Sequence, residues 1–131
     1  MDKIALDTNV VIKYFIGDKN VILNLKNTEK FYLPFPVAGE LLYGAKNSKK
    51  AGDNLQKLNE FFSDNEVLHS NQPVCEIYSD IRKQLKENGK PIPENDIWIA
   101  AVCKYYDCTI STFDKHFLLI PGIKILTFKE I

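Results

Sequence analysis

Apolar and polar positions along this chain alternate between two rhythms. Lys3 to Leu6 is a short, nearly continuous apolar run of the kind that a strand buried on both faces requires, and it stops at Asp7. From Thr8 the apolar residues Val10, Val11, Tyr14 and Phe15 recur at helical spacing until Gly17 interrupts them, and a second amphipathic run follows from Val21 to Leu25. Phe31 to Leu33 repeats the strand pattern, ended by Pro34 and Pro36, and Val37 to Ala45 returns to the helical one. Lys49 to Phe62 places Ala51, Leu55, Leu58, Phe61 and Phe62 on one face, which predicts an amphipathic helix; Glu66 to Leu68 predicts a brief third strand.

Further along, Pro73 suits a first helical position, Val74, Ile77, Tyr78, Ile81 and Leu85 continue at helical spacing, and Asn88 with Gly89 supplies the stop. The segment KPIPEND reads as a connecting loop, Ile97 to Tyr106 as a helix, Cys108 to Ser111 as a strand and Ile123 to Phe128 as the last strand. Strands alternating with helices predict an α/β fold, a parallel sheet covered on both faces and built from right-handed crossovers. In such sheets ligands bind beyond the carboxyl ends of the strands, so the residues at those ends carry the most information about function.

Composition narrows the class. At 131 residues the chain has the size of one domain, 1–131, and its 45% hydrophobic and 26% charged content is that of a globular protein, neither disordered nor fibrous. Lysine plus arginine equals aspartate plus glutamate, so bulk charge does not announce a polyanionic partner. No apolar segment approaches the roughly 18 residues of a membrane helix. The apolar stretch of MDKIALD meets Asp7 too early for a signal peptide, and the expectation is a cytoplasmic protein with no membrane association. Cys75, Cys103 and Cys108 match no zinc spacing and read as reduced, buried residues.

Four acidic residues occupy awkward places in this pattern. Asp7 closes the first strand. Glu40 lies in VAGELLYGA, a largely apolar helix just after the second strand, where an unpaired charge is expensive. Asp96 opens the apolar helix of PENDIWIAAV, where a carboxylate alone can serve as a cap or complement the helix dipole, as Asp7 can for the helix starting near Thr8. Asp114, in TISTFDKHF, stands just past the strand ending at Ser111. All four map to one edge of the expected sheet. Carboxylates gathered without a cation repel one another and raise each other's pKa. A divalent ion removes that conflict; oxygen donors suit magnesium or manganese, and magnesium keeps waters whose positions a phosphate oxygen and an attacking water can take.

In order, LDTNVVI, GELLYGA, NDIWIAA and TFDKHF resemble the PIN domain family, in particular its small VapC-like toxins, over almost the whole chain. The resemblance implies a three-layer α/β/α sandwich around a central parallel sheet. It also implies a metal-dependent endoribonuclease, the toxin of a type II toxin–antitoxin module of the VapBC kind. By the same resemblance Asp7, Glu40, Asp96 and Asp114 form the acidic pocket and hold the metal, Mg2+ with Mn2+ as a substitute. Supporting roles fall to Asn9, which can hydrogen-bond a ligand carboxylate, and to Thr112, whose hydroxyl can orient water or Asp114. The implied partners are an RNA substrate, a small cognate antitoxin and a second copy in a homodimer. One departure precedes Glu40, where many relatives carry serine or threonine and this chain has Val37, Ala38 and Gly39; Tyr43 and Gly44 keep the pattern, the glycine expected to permit close approach of a neighbouring backbone.

The chemistry that follows is hydrolysis by a metal-activated water, leaving a 5′ phosphate and a 3′ hydroxyl. Asp7, Asp96 and Asp114 are the expected ligands, and Glu40 binds a second ion or takes the proton of the water. Phosphate contacts fall to Lys46, Lys49, Lys50, Arg82, Lys83, Lys86, Lys90 and Lys115, with Lys57 and Lys104 read as solvated helix faces. His69 reads as structural, and His116 is placed outside the site because Phe117 beside it turns the segment toward the core. Trp98 reads as core; Phe61 with Phe62, or Tyr14 with Phe15, are candidates for meeting a partner chain.

Three rivals are weighed. A haloacid dehalogenase-like phosphatase needs a second aspartate two residues after the first, where Asn9 stands; a receiver domain needs paired acids at its first strand. A catalytically inactive PIN-fold RNA-binding or interaction module is the remaining alternative, and the presence of all four acids argues against it.

Overall fold

The computed structural model describes residues 2–128. Five strands, β1 (Lys3–Leu6), β2 (Phe31–Pro34), β3 (Glu66–Leu68), β4 (Cys108–Thr112) and β5 (Lys124–Thr127), form one parallel sheet in the order β3-β2-β1-β4-β5. The helices are α1 (Thr8–Phe15), α2 (Lys19–Leu25), α3 (Phe35–Lys46), α4 (Ala51–Asp64), α5 (Gln72–Glu87) and α6 (Glu94–Tyr105), with a 3-10 turn at Lys115–Leu119. The architecture is the expected α/β/α arrangement around a central parallel sheet. Among the described residues no helix is long and apolar enough to cross a membrane.

Strand order determines where a site can form. The chain steps outward from β1 through β2 to β3, then returns to the other side of β1 with β4 and β5, so the direction of winding reverses between β1 and β4. A reversal of this kind opens a crevice at the carboxyl ends of the two strands. Their register pairs Leu6 with Ser111, which sets Asp7, one residue beyond Leu6, alongside Thr112.

The core explains why this edge is rigid. Ala5 and Leu6 of β1, Ile110 of β4, and Val10 and Val11 of α1 are fully buried, as are Ala100, Ala101, Val102 and Cys103 of α6. The small residues of α6 let that helix lie close to the sheet, where it touches β2 and β4. Burying a side chain such as Leu6 or Ile110 contributes about 1.5–3 kcal/mol. The first turns of α1 and α6 are thereby fixed relative to the strand ends. Gly17 and Gly89 close α1 and α5 with φ of 81° and 65°, a left-handed conformation that glycine takes without penalty.

Several element ends differ from the sequence reading. Helix α6 starts at Glu94, so Glu94, Asn95 and Asp96 belong to it and not to the KPIPEND loop; Pro93 precedes the helix with φ −54°, and two acids in its first turn complement the dipole. Helix α3 starts at Phe35 and takes Pro36 into its first turn, where a missing N–H costs nothing. Helix α5 starts at Gln72, one residue before Pro73. The 3-10 turn, absent from the periodicity, is capped by Asp114 and anchored by the fully buried Phe117. Cys103 and Cys108 are buried, whereas Cys75 is exposed on the polar side of α5. Tyr14, Phe15, Phe31 and Phe61 pack on one another with ring centroids 4.9–6.4 Å apart, so these rings serve the fold. Trp98 stacks on Tyr78 at 3.8 Å and meets Phe35 edge-on.

Candidate metal centre

Asp7 follows the last residue of β1 and caps α1. Its Oδ1 accepts the Thr8 N–H at 2.9 Å and its Oδ2 accepts the Thr112 hydroxyl at 2.7 Å. Thr112 Oγ1 in turn accepts the N–H of Asp114 at 2.9 Å, so one hydroxyl ties the ends of the two central strands together. Thr112 thus orients Asp7 with its proton and Asp114 with its lone pair, while Ser111 beneath it donates to the carbonyl of Ala5. Thr112, expected to orient water or Asp114, meets Asp114 through its backbone N–H and Asp7 through its carboxylate.

Asp96 stands in the first turn of α6 and faces the same crevice, its side chain 14% exposed. No side chain caps α6, so the bland capping role does not account for this carboxylate. Burial, followed by the charges of Asp114 and Asp7, raises its pKa to about 6, against a partial lowering by His116. Burial also raises Asp7; Thr112 and Thr8 oppose the rise, and the charges of Glu40 and Asp114 add to it. The three aspartates therefore sense one another electrostatically.

Glu40 joins from α3. Its Oε2 accepts the Thr8 hydroxyl at 3.2 Å and its Oε1 accepts the amide of Asn95 at 3.3 Å, which links the starts of α1 and α6. It is exposed, contrary to the expectation of a charge set among Val37, Leu41 and Leu42: those residues turn inward from the same helix while Glu40 projects over the crevice. Gly44 also differs, since a methyl group there would meet no atom within 4 Å, so it approaches no neighbouring backbone. Asn9 is exposed and hydrogen-bonds none of the acids among the described residues.

The sequence reading left out His116, and the structure places it inside the cluster. Phe117 does turn into the core, but that leaves the preceding ring free to face the carboxylates: Nδ1 lies 3.0 Å from Asp114 Oδ1 and 3.4 Å from Asp96 Oδ2. Asp96, Asp114 and His116 offer ligand atoms that all lie within 4.8 Å of one another. The only advance signal was the two-residue interval from Asp114, which becomes informative once a capped 3-10 turn follows the strand. The hard carboxylate oxygens, with those of Asp7 and Asp96 pushed above the ordinary carboxylate range chiefly by burial, fit a divalent cation.

Fold and edge together define an α/β/α protein with a carboxylate cluster at the switch point of a parallel sheet. The profile of the PIN domain family matches residues 4–123, and the chain belongs to that family. It is similar to Ribonuclease VapC2 of Rickettsia felis, 31% identical over 125 residues that cover 90% of this chain and 92% of the relative. Ribonuclease VapC1 of Haemophilus influenzae is 29% identical over 91% of this chain and 92% of its own length. Among solved structures, a chain of DNA-bound VapBC from Salmonella typhimurium superposes with a TM-score of 0.86 at 28% identity, covering 97% of this chain and 98% of that one.

Proposed function

We propose that the chain is a divalent-metal-dependent endoribonuclease, the toxin of a VapBC-like toxin–antitoxin pair, working in the cytoplasm. The observation that carries this reading is the convergence of Asp7, Asp96 and Asp114 at the switch point of a PIN domain whose relatives are named ribonucleases. Asp7, Asp96 and Asp114 are the residues to hold Mg2+, with Mn2+ as a substitute. A bound ion of this kind polarises a phosphoryl oxygen and lowers the pKa of water. Thr112 keeps the Asp7 carboxylate aimed at the crevice and, through the Asp114 N–H, fixes the backbone that carries the Asp114 carboxylate. Glu40, exposed and held by neutral donors from Thr8 and Asn95, is placed to take the proton of an attacking water. The products are a 5′ phosphate and a 3′ hydroxyl.

RNA phosphates are met by exposed cations: Lys46 at the end of α3 with Lys49 and Lys50 beyond it, Lys86 and Lys90 at the end of α5, and Lys115 beside Asp114. Arg82 and Lys83 contribute less, because Arg82 donates to Tyr78 and pairs with Glu94 while Lys83 pairs with Glu87. A cleft of about 390 Å³ bordered by Ile12, Phe15, Ile16, Leu41 and Leu58 adjoins Thr8 and Glu40. An antitoxin segment with an apolar face fits there and, from there, reaches the acidic crevice. A second copy of the chain completes the proposed assembly as a homodimer.

The test is cleavage of a panel of cellular RNAs by antitoxin-free protein with magnesium or with EDTA, beside Asp7→Asn and Asp96→Asn. Cutting that requires the ion and disappears in both variants is expected. Equal cutting by the variants, or none by the wild type, would remove the nuclease reading and leave an RNA-binding or interaction module.

A further inference from the structure

The acidic crevice holds an imidazole beside its carboxylates. Resting on the metal-site reading above, we infer that His116 supplies a nitrogen ligand to the ion held by Asp96 and Asp114 and biases this site toward manganese over magnesium. Three observations converge on it. The ring nitrogen Nδ1 faces Asp114 at 3.0 Å and Asp96 at 3.4 Å, so it shares the space between the carboxylates. The ring is aimed by its own backbone: the His116 N–H donates to Asp114 Oδ1 at 2.8 Å, and the next residue, Phe117, is completely buried and pins the turn. The nitrogen and both carboxylates lie within 4.8 Å of one another, the compass of a shared ion.

The chemistry sets the direction of the preference. With its proton on Nδ1 the ring donates to Asp114; with the proton on Nε2, the Nδ1 lone pair is directed into the same space. Magnesium demands hard oxygen donors and holds its waters tightly. Manganese accepts oxygen donors equally well and takes imidazole more readily, so replacing one oxygen by this nitrogen favours manganese.

The chain has only two histidines, and the other, His69, lies beyond β3, with its carbonyl taken by Tyr106, which makes a nitrogen signal assignable. The experiment is pulsed electron paramagnetic resonance of substoichiometric Mn2+ on the antitoxin-free 131-residue chain, with competition titrations of Mn2+ against Mg2+. Wild type, His116→Ala, His116→Gln, His69→Ala and Asp96→Asn are compared, each checked for folding by thermal melting. Nitrogen-14 modulation from bound imidazole is expected in wild type and His69→Ala and lost in both His116 variants. Their Mn2+ affinity should fall at least about tenfold, with Mg2+ affinity changed less. The glutamine keeps a donor toward the carboxylates, so its failure to restore the signal separates ligation from hydrogen bonding. Manganese bound in an Asp96-dependent way with no nitrogen coupling, or with a coupling that survives loss of His116, overturns the inference and leaves the metal site standing. If wild type binds no manganese at all, the inference and the metal-dependent reading fall together.

Discussion

At the amino ends of the strands Lys30 stands 2.9 Å from Glu66 and Lys124 stands 3.0 Å from Asp107, each cation matched to an anion across neighbouring strands. At the carboxyl ends of the same strands, Asp7, Asp96, Asp114 and Glu40 share one crevice, and among the described residues the only basic group paired with them is the His116 ring against Asp96 and Asp114. One sheet supports both arrangements, so strand geometry does not force like charges together. The amino end is what a fold does when charge serves only solubility and modest stabilisation. The carboxyl end costs stability in the absence of a counter-ion, a cost that a binding site retains and a purely structural edge has no reason to keep.

The strongest way to break this contrast is to remove the charges. Asp7→Asn and Asp96→Asn should each lower RNA cleavage by at least about a thousandfold, on the order of 4 kcal/mol of transition-state stabilisation. The two variants should differ in stability. Asparagine at 96 relieves repulsion in a half-buried place. Asparagine at 7 offers one acceptor oxygen where the aspartate uses two, toward Thr8 and Thr112, so one donor is left unpaired. Metal-free Asp96→Asn is therefore expected to melt above the wild type at neutral pH and Asp7→Asn below it. The reverse order in thermal melts would show that the buried charge of Asp96 does not cost stability.

Next in size is the pH dependence of the metal-free protein. Asp96 titrates near 6 in the folded chain against an ordinary value of 3.8, so the folded state holds this proton more tightly than the unfolded one. The stability that comes with the proton is complete below about 3.8 and is lost as pH rises through about 6. The loss reaches up to about 3 kcal/mol, with Asp7 shifting in the same direction. Urea denaturation between these pH values should trace a falling curve that Asp96→Asn flattens, and saturating divalent ion at pH 7 should restore the loss by mass action. A wild-type curve that is level in the presence of EDTA would contradict the proposed charge conflict.

Removing the hydroxyl that ties the two strands together should have a smaller effect. Thr112→Val leaves both carboxylates present but frees the Asp7 carboxylate and the Asp114 backbone from their shared hydroxyl, and is expected to cost about 10–100-fold in metal affinity or cleavage. Thr112→Ser retains the hydroxyl and should recover most of it, which a role confined to packing would not predict. Measured by metal titration, equal affinities for the valine and serine variants would separate Thr112 from the site.

These residues were unequally legible in the sequence. Asp7 and Asp114 could be set at strand ends because those ends are marked by abrupt changes of pattern, at Leu6 to Asp7 and after Ser111, one residue short of the end of β4 at Thr112. The start of α6 was misread by three residues, since Pro91 and Pro93 suggest a loop while the second of them also precedes a helix well. Glu40 could be assigned to its helix but not to the exposed side of it, because a turn containing Val37, Leu41 and Leu42 reads as apolar all round until the neighbouring helices are in place. The position of His116 depends on a short 3-10 turn anchored by Phe117, and three-residue periodicity over five residues leaves no mark in a hydrophobic pattern. The hydrogen bond from Thr112 to Asp7 spans 105 positions and follows only from the register of β1 against β4.

The smallest effect is expected at the opposite end of the sheet, and it completes the comparison. Lys30 and Glu66 form a close pair, yet both side chains are about half exposed, so water and salt screen their attraction and ordering two flexible side chains offsets much of the gain. Lys30→Ala should leave RNA cleavage and metal affinity unchanged and move the melting temperature little, with that small shift disappearing in high salt. Melts of Lys30→Ala, Glu66→Ala and the double variant isolate the coupling between them. A coupling comparable to the stability change at Asp96 would mean that both ends of the sheet hold their charges under similar constraint, and the imbalance at the carboxyl end would then no longer single out a site.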